Sequence, residues 1–128
     1  MNIGNDPPDK LKLSALERAV LQAQASVLGE GGNVLLSQVQ HVAVLARNHS
    51  GVGFVTRFRV SEGAPRLPAD VAGRIRPVPA AHPGLSEPAE FLVQVKDGYL
   101  ASIEAYCPEG MWPPDDTQFR VGGSTRDA

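Results

Sequence analysis

Cysteine is almost absent. The chain of 128 residues holds one, Cys107. A lone thiol cannot close an internal disulfide, so nothing asks for an oxidising compartment. Aromatic residues are scarce, at 5%, with a single tryptophan, Trp112. Charge of one sign is missing too. Twelve Lys and Arg stand against fourteen Asp and Glu, a formal charge of -2, which offers no basic stripe for DNA or RNA. No apolar run approaches the roughly 20 residues of a membrane helix. The opening MNIGNDPPDK has no charged stretch leading into an apolar one, as a secretion signal has. The expected location is the cytoplasm, with no membrane or nucleic-acid partner and no cofactor. An apolar fraction of 42% is enough to build the core of one domain.

Pro7 and Pro8 disfavour helix at the start, which predicts a flexible arm over residues 1–12. Ser14 followed by Glu17 has the spacing of a capping box. Leu16, Ala19, Val20, Ala23 and Val27 then recur at helical spacing up to Gly29, a residue that stops helices in the left-handed conformation. A short second helix follows, with Asn33 as N-cap and Leu35, Leu36 and Val39 on one face.

From Val42 the period changes to two. Val42, Val44 and Ala46 alternate with Ala43, Leu45 and Arg47. In the next strand Phe54, Thr56 and Phe58 share one face, and Val55, Arg57 and Arg59 share the other. The proline-rich middle predicts an edge strand near Ala72–Val78 and a loop over Pro79–Pro88. Phe91, Val93 and Val95, the pair Asp97-Gly98, then Tyr99, Ala101, Ile103 and Ala105 read as a tight hairpin. Trp112 and Phe119 are placed to pin an irregular C-terminal arm. The order predicts an α+β domain over residues 13–119. Two helices, the second short, pack on one face of an antiparallel sheet of about five strands. A mobile tail is expected over 120–128.

The chemistry-bearing residues are dispersed. Gly51-Val52-Gly53 lacks the third glycine and the following helix that a dinucleotide loop needs, so it reads as a hairpin turn with a close backbone approach at Gly53. His41, His49 and His82 have no metal-ligand spacing, and Cys107 has no local nucleophile signature. Glu104 lies mid-strand, where it has two readings: an ion pair with Arg57 or Arg59 across the sheet, or a general base. The first 60 residues carry six basic and four acidic groups, and the remainder six against ten. That acidic half, with the Trp112-Pro113-Pro114 loop, suits contact with a protein.

The segments SGVGFVTRFRV, APRLP and FLVQVKDGYLASIEAYCPEGMWPPD resemble a family of small uncharacterised bacterial proteins. Members carry a TGVGFFT-like hairpin, an APRL-like segment and a DGxLxxLExY…WP ending. The matching positions are Gly51, Gly53, Phe54, Thr56, Pro65, Arg66, Leu67, Asp97, Gly98, Leu100, Glu104, Tyr106, Trp112 and Pro113. Val55 replaces the usual aromatic, and Ile103 the usual leucine. The resemblance implies the α+β plan and no assigned activity, which leaves room for an immunity- or accessory-like role. The leading expectation is a non-enzymatic protein-binding module using Arg57, Arg59, Glu104, Tyr106 and Trp112. One alternative is a small enzyme or ligand binder with Glu104 as base and Tyr106 or His49 as proton partner. Another is a homodimeric structural protein.

Overall fold

Helices and strands segregate along the chain, and the computed structural model shows the α+β architecture that follows. It describes residues 3–7 and 11–121. Part of the expected arm (1, 2 and 8–10) and residues 122–128 of the expected tail lie outside the described residues.

Helix α1 spans Ala15–Val27, and the capping box is formed: Ser14 Oγ accepts from the Glu17 amide, and Glu17 returns a bond to the Ser14 amide. Gly29, at φ 63°, turns the chain after it. Helix α2, Gly31–Val39, begins two residues before the expected cap Asn33, and its N-cap is Glu30, with no side-chain bond. Strands β2 (Val42–Ser50) and β3 (Gly53–Val60) form one hairpin; β5 (Ala89–Lys96) and β6 (Tyr99–Tyr106) form another. β3 pairs with β6, which joins the two hairpins at the centre of the sheet. Short strands extend both edges: β1 (Ile3–Asn5) beside β2, and β4 (Val78–Ala81) then β7 (Arg120–Val121) beyond β5. Among the described residues the sheet has seven strands in the order β1-β2-β3-β6-β5-β4-β7, two more than the periodicity suggested. The additions are strands of two and three residues, too short to display a period.

The proline-rich middle departs from expectation. Ala69–Ala72 is a helical turn, α3, and the strand lies at Val78–Ala81 within the expected loop. It is near the edge of the sheet, and Pro79 is tolerated there because few amides of this strand are needed for pairing.

All the packing is on one side of the sheet. Phe54, Phe58, Phe91, Val93, Leu100 and Ile103 meet Val20, Leu21, Leu28 and Leu35 from the helices. Two bulges decide which residues face that core. Val44 pairs with Phe58 but Ala46 with Arg57, so Leu45 is an extra residue. It turns Arg47 and His49 to the core side, opposite Thr56 and Phe54. On β6, Ala101 is extra between Leu100 and Ser102, which brings Leu100 inward together with Ile103. Simple alternation had set Leu100 on the other face.

Two buried glutamines close gaps that no strand closes. Gln38 Nε2 donates to the carbonyls of Pro65 and Gly98, each at 2.8 Å, and its Oε1 accepts from the Leu100 amide at 2.8 Å. Gln24 brackets the backbone of Arg76 in the same manner. The Asp97-Gly98 turn has both residues at positive φ, 55° and 83°, as a tight hairpin of this type requires. The Pro65–Leu67 segment docks on it through a bond from the Leu67 amide to the Gly98 carbonyl.

Candidate functional site

The sheet divides the expected contact residues into two groups. Arg57, Arg59, Glu104 and Tyr106 all lie exposed on the face away from the helices. Register aligns Asn48, Val55, Glu104 and Leu92 in one row across β2, β3, β6 and β5. The next row is Ala46, Arg57, Ser102 and Gln94. Tyr106 sits between Gly53 and Glu90 at the end of the same face. Val55 and Leu92 are half-buried, and Tyr106 is 40% exposed.

The expected pairing of Glu104 with Arg57 or Arg59 is not formed. The ion pairs among the described residues involve Arg47, Glu17, Asp6 and His49 alone. Register explains this: Val55 and Leu92 stand directly beside Glu104, while Arg57 lies diagonally across.

Trp112 is on the other side. Its ring stands edge-on to Phe54 at 5.4 Å and to Phe91 at 5.9 Å, and lies 5.0 Å from Phe119. Its amide donates to the Gly51 carbonyl at 2.8 Å. Trp112 and Phe119 thus pin the C-terminal arm on the core side. A pocket of about 280 Å³ opens beside them, lined by His49, Gly51, Gly53, Met111, Trp112, Pro113, Pro114 and Asp116. Gly53 has a packing reason of its own, because a Cβ there would run into the Ala105 carbonyl. His49 belongs to this side and Glu104 to the other, so the sheet keeps apart the base and the proton partner of the enzyme reading. Tyr106 shares the face of Glu104 without bonding to it.

The densest polar cluster was not legible as a site in the sequence. Glu17 is fully buried at the start of α1. Its Oε1 accepts from the Ser14 amide at 2.9 Å and from Arg47 Nη2 at 2.6 Å. Its Oε2 accepts from Arg47 Nε at 2.9 Å and from Thr56 Oγ1 at 2.5 Å. Arg47 also donates to the Lys12 carbonyl and to Asp6 Oδ2, and Asp6 Oδ1 meets His49 Nε2 at 2.8 Å. Burial raises the Asp6 carboxyl, but hydrogen bonds from Arg47 and His49 and the charge of both outweigh it, and the net direction is down. Burial likewise opposes the charge on Arg47, and the bonds to Glu17 and Asp6 overcome it, so that guanidinium is held more firmly charged than usual.

Those bonds define what the cluster can do. A carboxylate has about four acceptor positions, and Glu17 uses four. Nothing is left for a substrate proton. The cluster is a clasp between the N-terminal segment, α1, β2 and β3. Cys107 is equally occupied, with its buried thiol donating to the Val52 carbonyl at 3.4 Å. Among the described residues no three His, Cys, Asp or Glu side chains gather as a metal site, and no helix is long and apolar enough to cross a membrane.

The comparisons with protein families, curated proteins and solved structures found no match.

Proposed function

We propose that this chain is a non-enzymatic protein-binding module, acting in the cytoplasm, and that its contact surface is the uncovered face of the sheet. One observation carries the reading. Arg57, Arg59, Glu104 and Tyr106 lie exposed on one flat face, with no ion pair or side-chain hydrogen bond inside the chain. Elsewhere the protein satisfies its charges closely, as Glu17 and Arg47 do. Charged groups that are left unpaired around half-buried Val55 and Leu92 suit a surface completed by another protein. The resemblance to small bacterial proteins without assigned activity supports the same reading, including an immunity- or accessory-like role. Trp112 drops out of the contact surface, because its ring is packed into the core-side aromatic cluster.

Photo-cross-linking in the native host tests this. A cross-linker replacing Arg59 or Gln94 is expected to give discrete protein adducts, and one replacing Arg18 on α1 none. Equal yields from all three positions, or no adduct from the sheet face, would contradict the proposal.

The pocket beside Trp112 favours a second reading, the binding of a small aromatic molecule. It is walled by apolar groups with His49 at one side. Because Trp112 is the single tryptophan, its emission reports occupancy directly. A saturable change on adding naphthol, lost in His49→Ala, supports this reading; no saturation up to about 1 mM contradicts it.

A further inference from the structure

We infer that the uncovered sheet face binds a second copy of this chain, an inference that rests on the contact surface proposed above. The face is polarised along the strand direction. Glu90 and Glu104 occupy the end near Tyr106, and Arg57, Arg59 and Lys96 the end near the β5–β6 turn. A surface of one sign would repel its own copy. A surface with separated signs fits itself once one copy is turned over, the requirement for a two-fold interface.

The register shows that the turn matches particular residues. Arg57 and Glu104 are on the adjacent central strands β3 and β6, two residues apart along the strand direction. A two-fold axis lying in the contact plane, midway between them, exchanges their places. Arg57 of one copy then faces Glu104 of the second, and the reverse contact forms by symmetry. With strands about 4.8 Å apart and a rise of about 3.3 Å per residue, the same operation brings Arg59 over the part of β5 that carries Glu90 and Leu92. The strands of the two sheets cross steeply, as in the orthogonal class of sheet packing. Half-buried Val55 and Leu92 lie within the contact, where a second sheet removes them from water.

The area sets the strength. Five strands of eight residues cover about 24 by 26 Å, a footprint of about 600 Å². That falls short of the roughly 800 Å² per partner of a standard interface. The expected assembly is a reversible dimer with a dissociation constant in the micromolar range.

Sedimentation of the purified full chain from about 1 to 500 µM tests this. The expected result is a monomer at the low end and a dimer at the high end. Arg57→Glu and Glu104→Arg each set like charges together twice per dimer, and each is expected to weaken association at least about tenfold. The double exchange R57E/E104R is expected to restore it to within about threefold of the original. All are exposed positions, so unchanged urea midpoints exclude unfolding as the cause. A monomer at every concentration overturns the inference. So does a dimer indifferent to both single changes, or a double exchange no better than the singles. Should the chain stay monomeric while host cross-links still arise from the sheet face, the face serves a different protein and only self-association falls. If both fail, the contact surface itself is wrong.

Discussion

Replacing Glu17 by alanine isolates the clasp from the rest of the fold. The change removes four hydrogen bonds to a carboxylate with no solvent exposure. Two consequences add. The return bond of the capping box is lost, at a cost of about 1 kcal/mol. Arg47 stays behind, buried, with only Asp6 as counter-ion. Removing one partner of a buried pair costs about 3–5 kcal/mol; Asp6 still neutralises part of the charge, so the lower figure applies. The expected total is about 4 kcal/mol. Against about 5–15 kcal/mol for a whole domain, Glu17→Ala sits near the limit of folding. Urea unfolding at pH 7 measures it. The companion variant Glu17→Leu/Arg47→Met removes both charges and is expected to recover about half the loss, because an apolar pair carries no desolvation cost. A loss below about 1 kcal/mol for Glu17→Ala would refute the reasoning. So would a double variant as unstable as the sum of its single changes.

Three further outcomes follow from the same structure. Asp6 has its carboxyl held below the ordinary range in the folded state. Its contribution is therefore complete above an unfolded value of about 4 and is lost as pH falls through the lower folded value. The stability difference between wild type and Asp6→Asn is thus expected to be constant from neutral pH to about 5 and to shrink below about 4; a difference that grows on acidification contradicts this. Gln38→Ala leaves the Leu100 amide and the Pro65 and Gly98 carbonyls without their partner, and is expected to cost about 2–4 kcal/mol in urea unfolding. Thr117→Val removes a hydroxyl that donates to the Asp115 carboxylate. It is expected to raise the Asp115 pKa from about 2, where hydrogen bonds from Gln118 and Thr117 hold it, as carboxyl NMR titration would report.

What the sequence discloses depends on how local the cause is. Ser14 and Glu17, Gly29, and Asp97-Gly98 each act within a few residues, so spacing alone reveals the cap, the helix stop and the hairpin. Gly53 was legible for a related reason, since a glycine inside an alternating strand signals a close backbone. The bulges at Leu45 and Ala101 were not. Each depends on the partner strand, and each reverses the face of every residue beyond it. That is why Arg47 read as a solvent-facing strand residue and is instead the centre of a buried cluster. Gln24 and Gln38 were illegible because their bonds go to backbone brought in from 52 and from 27, 60 and 62 residues away. For the contact residues, periodicity found the face of Arg57, Arg59, Glu104 and Tyr106. It could not place Trp112, whose position follows from the path of a loop without a period.

The central claim is that the uncovered sheet face is covered by protein in the cell. Labelling arginines with a dicarbonyl reagent tests it whether the partner is a second copy or another chain. Labelling in intact host cells is compared with labelling of the dilute purified protein. Arg57 and Arg59 are expected to be protected in cells, with Arg18 and Arg74, exposed elsewhere on the surface, labelled equally in both. Equal labelling of all four arginines would contradict the account.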